Sequence, residues 1–483
     1  MIHEAKNVSR RHFLKIAGVA GASIGLGAGL GGLAAACGSG GTTTTTAGAT
    51  QTTAGATSTT AAMTTTSVAA SGTSVSTAAV GRALKVGFVT PTTGALAAFG
   101  VPDQYSLARA TEAVGDGIVC ADGQKHPITF ITRDSQSDTN RASQVAGDLI
   151  NNNKVDLVLV TSTADVVNPV ADQCETAGVP CLSTDCPWQN FIYGRGGDPT
   201  KAYKWTYNFF WGLEDIIADF FAVWNTIPTN KKASVLLSNS SPGNAWLDPW
   251  KAAMKPNGYT GDFTDQYPVG SEDFTAQISQ FKKNGDEVSL GLFDPPDFTT
   301  FWKQCIQQGY KPKTGAWSMC LEFPQAAEAL GDLCINLASE SMWTPAYPFT
   351  SPLLNQTAKQ FADEFETRSN SQWTQPLQHF SVFEWGIDVI KRAKNLETPQ
   401  SYIDAVLETK LMTISGEIDF TVPVDTTGAI GPARATPNCY KSPVCVVQWQ
   451  KGKGKWKYDQ LIVGNKAAPN VPLEDTFKAL TYS

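Results

Sequence analysis

Histidine is scarce in this chain: His3, His12, His126 and His379 are the only four in 483 residues. With two of them in the first dozen residues, a Ser-His-Asp site is hard to assemble, and no G-x-S-x-G stands in the region expected to fold. No C-x-x-C occurs among the ten cysteines, which speaks against a zinc site or thioredoxin-type chemistry. An excess of basic residues is also missing. The formal net charge is -7, and residues 1–36 hold Lys6, Arg10, Arg11 and Lys15 against Glu4, so the remainder is more acidic still. That excludes nucleic acid as the main partner. A long apolar run is absent too: Ile16 to Ala36 is uncharged but contains seven glycines, a weakly apolar segment rather than a membrane span. No catalytic residue, metal or cofactor is expected.

What is present begins with a leader. Ser9-Arg10-Arg11-His12-Phe13-Leu14-Lys15 closely matches a twin-arginine export signal. Leu33-Ala34-Ala35-Ala36-Cys37-Gly38 resembles a bacterial lipoprotein cleavage site, which would make Cys37 the lipidated residue. It departs from that pattern in having Ala34, not leucine, three residues before the cysteine; the alternative is plain A-x-A cleavage. Residues 37–81 are nearly all Thr, Ala, Ser and Gly without charge, a composition expected to stay disordered as a tether. Such a coil averages roughly 35 Å end to end. The reading so far is an exported protein anchored to the outer face of the cytoplasmic membrane.

From Arg82 the chain alternates short apolar runs with helical spacing. Lys85-Val86-Gly87-Phe88-Val89 reads as a buried strand, broken at Pro91 and Gly94, and Val101 to Val114 as a helix. Strands follow at Pro127–Ile131, Val155–Val160, Val179–Ser183, Ala233–Leu237, Gln266–Val269 and Val288–Phe293, with helical stretches between them. This β-α alternation, running twice, predicts an α/β protein with two parallel-sheet lobes. Small ligands of such sheets sit at the carboxyl ends of the strands.

The order of Val86–Gly100, Ile128–Asp134, Val155–Ala164 and Val179–Pro187 resembles the first lobe of the branched-chain amino acid and amide-binding proteins of bacterial ABC importers. Ala276 to Lys282, Gln304 to Tyr310 and Gly416 to Phe420 are similar to later segments of that family. The resemblance covers about 82–470 and implies a type I periplasmic binding protein fold, with three crossings joining Rossmann-like lobes. One lobe would hold 82–207 plus 345–412, the other 208–344 plus 413–475. It also implies a monomer that captures an amino acid or related small polar solute for an ABC permease. A ligand sensor of the same fold is the alternative, and an exported enzyme the weaker one.

Candidate ligand-binding residues follow from the strand ends and the resemblance. Thr161, Ser162 and Thr163 precede a helix, where unpaired N–H groups and positive partial charge suit a carboxylate; capping alone is the competing reading. Asp185 and Trp188 depart from the small hydroxylic residues usual at the next strand end, which weakens a branched-chain amino acid as the ligand. Phe99 lies beside the opening turn, and Trp211 near the first crossing, as cleft wall or hinge packing. Asp294 and Glu322 are candidate partners for an ammonium, each otherwise a solvated surface carboxylate. Cysteine usage suits an oxidising compartment. Cys439 and Cys445, with a hairpin between them, are the expected disulfide.

Overall fold

The computed structural model describes residues 78–429 and 438–482. The export signal, Cys37 and the tether through residue 77 lie outside the described residues. The first sheet contains β1 (Leu84–Thr90), β2 (Ile128–Asp134), β3 (Leu157–Val160), β4 (Cys181–Thr184) and β5 (Thr206–Phe209). They run in the order β2-β1-β3-β4-β5, and every pairing is parallel. All four residues of β3, Leu-Val-Leu-Val, are buried, as a strand covered on both faces requires. Edge strand β2 has no fully buried residue, and it carries Thr129, Thr132 and Arg133.

The second sheet repeats the pattern with β6 (Lys232–Leu237), β7 (Thr260–Phe263), β8 (Val288–Leu292) and β9 (Thr314–Ser318) in the parallel order β9-β8-β6-β7. The strand predicted near Gln266–Val269 falls earlier, at β7; Tyr267 makes only an isolated bridge to Ser238. A third, antiparallel sheet joins Ala338–Ser341 to Cys445–Lys451 and Tyr458–Gly464. Two parallel sheets bear out the expected fold class.

Helices cover these sheets. The principal ones for the site are α1 (Asp103–Val114), α2 (Ala164–Ala177), α3 (Ser241–Met254) and α4 (Phe380–Arg392). Gly386 shows how close α4 lies to the first sheet: an added Cβ would stand 3.0 Å from Leu159 Cδ2. At Gly100, an added Cβ would collide with the Pro91 carbonyl oxygen, so the missing side chain lets the turn after β1 fold back on itself. Many of the aromatic residues are core. Tyr267, Phe274, Phe293, Phe298, Phe301, Trp302 and Trp317 pack ring on ring about the second sheet.

Two expectations need correction here. Cys439–Tyr440 pairs in parallel with Asn208–Phe209, so part of the span assigned to the second lobe lengthens the first sheet instead. For the same reason Cys439 and Cys445 form no bridge. One belongs to the first sheet and the other to the antiparallel sheet, and the residues between them run from sheet to sheet rather than turning as a hairpin. All nine cysteines among the described residues are free and buried.

Candidate functional site

Parallel strands end together, so whatever follows them gathers at one place. Here the loops after β3, β4 and β5 meet those after β6, β8 and β9 around one small cavity. From the first sheet come Phe99, Thr163, Asp185, Asn190, Phe210 and Trp211; from the other side come Trp246, Leu292, Met319, Glu322 and Glu340. The cavity is small, about 30 Å³. Roomier hollows of about 660 and 620 Å³ lie away from these strand ends, beside Thr427.

The backbone is strained where it enters the cavity wall. Ser162, Asp185 and Met319 each lie just past a strand end and each has positive φ, at 86°, 66° and 66°. Non-glycine residues held so cost of order 1–3 kcal/mol each, and such strain gathers at ligand sites.

Unpaired polar groups converge on the same space. Thr163 Oγ1, the Asn190 side-chain amide, Trp211 Nε1 and Glu322 Oε2 have no hydrogen-bond partner, although all four residues are buried and line the cavity. Native proteins satisfy nearly all such groups, so four unpaired groups around one cavity suit a polar ligand. Thr163 also precedes α2, whose first N–H groups face a chain without a side-chain cap.

The electrostatics are one-sided. Asp185, Glu322 and Glu340 line the cavity, and no lysine or arginine does. Glu340 is held by Ser318 Oγ at 2.6 Å and the Met319 amide at 3.2 Å. Burial, the neighbouring Glu340 and Asp185 push the Glu322 carboxyl well above the usual range. Asp185 accepts from His379 Nε2 at 3.1 Å, and His379 Nδ1 donates to Asp103 Oδ1 at 2.7 Å. Thr90 and Thr161 donate to the other oxygen of Asp103. Burial alone would lower the His379 pKa, but Asp103 and Asp185 together raise it to about 9, so an imidazolium stands behind the cavity wall. Burial raises Asp185 as well, with His379 opposing it.

Of the nine candidate ligand residues, Phe99, Thr163, Asp185, Trp211 and Glu322 line the cavity. Four do not. Thr161 is turned to Asp103, and Ser162 is buried behind the wall. Trp188 gives its indole N–H to Glu214 at 3.1 Å, away from the cavity. Asp294 precedes helix Pro295–Gln308 beside Asp297 and Asp165; burial and those neighbours raise it to about 7. Sequence reasoning missed Asn190, Phe210, Glu340 and the Asp103–His379 pair. A charge inside the short run Ala338-Ser339-Glu340-Ser341 was the available signal for Glu340.

Two parallel sheets whose strand ends enclose a polar-lined cavity define a solute-binding α/β fold. The chain belongs to the periplasmic binding protein family: the family profile matches residues 83–452. A twin-arginine translocation pathway signal sequence matches residues 7–27. Over 300 residues the chain is 25% identical to Leu/Ile/Val-binding protein homolog 8 of Brucella abortus (strain 2308), covering 60% of this chain and 71% of that one. The leucine binding protein LivK of Thermotoga maritima shares the fold with a TM-score of 0.61 at 17% identity, over 79% of this chain and 99% of that one. A solute-binding protein of an ABC transporter from Rhodopseudomonas palustris, in complex with 3,4-dihydroxy benzoic acid, gives a TM-score of 0.61 at 18% identity, over 79% and 96%. The protein is thus an exported solute-binding protein of the ABC-transporter type.

The His379 bridge has a pH signature. Its folded pKa of about 9 exceeds the unfolded value of about 6.5. Its contribution is therefore complete below about pH 6.5 and lost as pH rises through about 9. His379→Asn should cost about 3–5 kcal/mol near pH 6.5, by leaving two buried carboxylates unpaired. The gap in melting temperature between wild type and variant should narrow toward pH 10. A gap that stays constant or widens contradicts the imidazolium.

Proposed function

We propose that this protein captures an amino acid or a related amine-bearing small solute in the cavity between the sheets and hands it to an ABC permease. The observation that carries this is the pairing of unlike ends. Thr163, Asn190, Trp211 and the start of α2 offer hydrogen-bond donors, while Glu322 across the cavity holds an unpaired carboxylate oxygen. A solute with an acceptor at one end and an ammonium at the other meets both. Binding needs no chemistry, only a preference for the closed arrangement. Since the cavity as it stands is only about 30 Å³, the two sets of loops must part to admit a solute.

A second reading takes an aromatic acid as solute. Phe99, Phe210, Trp211 and Trp246 supply rings for it, and the Rhodopseudomonas palustris protein is in complex with such an acid. Its carboxylate, however, would find no lysine or arginine among the lining residues.

A thermal-shift screen of the full chain tests the reading, because a solute at free concentration c that binds only the folded state stabilises it by RT ln(1 + c/Kd) and so raises the melting temperature as c exceeds Kd. Amino acids and amines should give shifts that grow with their concentration. Glu322→Gln should weaken the responding solute by at least about tenfold, or about 1.4 kcal/mol. Unchanged affinity removes Glu322 from the site. We also propose that Cys37 carries a lipid that keeps the protein at the membrane. Cys37→Ser should move it from the membrane fraction to the soluble exported fraction; retention in the membrane would overturn the anchor.

A further inference from the structure

The proposal above needs one carboxylate for one ammonium, and the cavity has more. Asp185, Glu322 and Glu340 all line it. Only Asp185 has a cationic partner, His379, and that imidazolium is shared with Asp103 behind it. Glu322 and Glu340 stand within hydrogen-bonding reach of each other, and neither meets a lysine or arginine. Asp294, just past β8, and Asp165, on α2, are two further carboxyls that burial pushes toward the neutral form, and neither supplies a cation. Once a zwitterion's ammonium has met Glu322, Glu340 remains without a counter-charge, and the solute's own carboxylate adds to the surplus.

The second observation is the unpaired Glu322 oxygen itself. Glu322 is 2% exposed, and Oε2 has no partner in a wall where Glu340 has both oxygens bonded. A third is the ring set, Phe99, Phe210, Trp211 and Trp246, on the same cavity. Aromatic faces attract cations, and more strongly where water is excluded. A metal ion is the poorer match, since no group of three or more His, Cys, Asp or Glu among the described residues is arranged to hold one.

Resting on the solute-binding reading, we propose that the solute is a compact organic cation of net positive charge, its nitrogen seated between Glu322 and Glu340 among the aromatic rings. In the empty site the two neighbouring carboxyls cannot both ionise cheaply, and they share a proton. A primary ammonium or guanidinium offers several donors and lets both carboxylates stand charged. Thr163, Asn190 and Trp211 then serve the polar remainder of the solute, a hydroxyl, an amide or a second head group.

The test is calorimetric titration and thermal shift of the full chain with agmatine, putrescine and L-arginine, set against L-isoleucine and 3,4-dihydroxybenzoate. The expected result is saturable binding of one or more of the cations, at least about tenfold tighter than either comparison compound. Glu340→Gln, whose amide can still engage Ser318 and Met319, should weaken that cation by at least about tenfold while its melting temperature shows it folded. Should Glu340→Gln fail to fold, Glu322→Gln replaces it in the same titration with the same expectation. Binding of isoleucine or dihydroxybenzoate without any cation overturns this inference and leaves solute binding standing. Silence from all five, with the protein shown folded, overturns both.

Discussion

Buried carboxyl groups at the meeting of two sheets are the constraint on which this structure depends. Moving a carboxylate out of water carries an effective penalty of several kcal/mol, which only good partners offset. On the first sheet's side the offset is nearly complete: Asp103, His379 and Asp185 form a chain closed by the hydroxyls of Thr90 and Thr161. On the other side Glu340 is met by Ser318 and the Met319 amide. Glu322 is the group left incomplete. Its free oxygen, facing the unpaired groups of Thr163, Asn190 and Trp211 on the same cavity, is what a polar solute can meet with the largest gain.

The fold creates this arrangement through its repetition. Each parallel sheet sends its loops to one edge, and the two edges face each other. Positive φ at Ser162, Asp185 and Met319, each just past a strand end, shows the backbone bent to line the wall. Around the second sheet the rings of Phe293, Phe301, Trp302 and Trp317 pack together, with Trp317 on the strand that leads into Met319. Asp165, on α2, accepts from the Ser241 amide at the start of α3 at 3.3 Å, joining the two sides beside the cavity. A solute larger than water enters only when such contacts separate.

Much of the fold was legible because its signals are local. Buried apolar runs such as Leu157-Val158-Leu159-Val160, each followed by hydroxyl or glycine breaks, marked strands of both sheets and located Thr163 and Asp185 at strand ends. Glu322 was legible only through the family resemblance, because β9, Thr-Gly-Ala-Trp-Ser, carries no such run. What failed depended on distant partners. Trp188 stands four residues past the end of β4, yet Glu214 captures its indole. Cys439 and Cys445 are close in sequence, but strand pairing sends them to different sheets. His379 sits in a helical stretch with no local mark of function, and only the fold brings Asp103 and Asp185 to its two nitrogens. Glu340 left a faint trace, a charge within a four-residue run that the structure shows fully buried.

The central claim is that a cationic nitrogen replaces a proton between Glu322 and Glu340, with Asp185, His379 and Asp103 holding the wall behind. Calorimetric titration of the best-binding amine at one pH, in buffers of different ionisation enthalpy, counts the protons exchanged. The account predicts net proton release approaching one per solute bound, and less of it in Glu340→Gln. Tight binding with no proton exchanged in any buffer would contradict it.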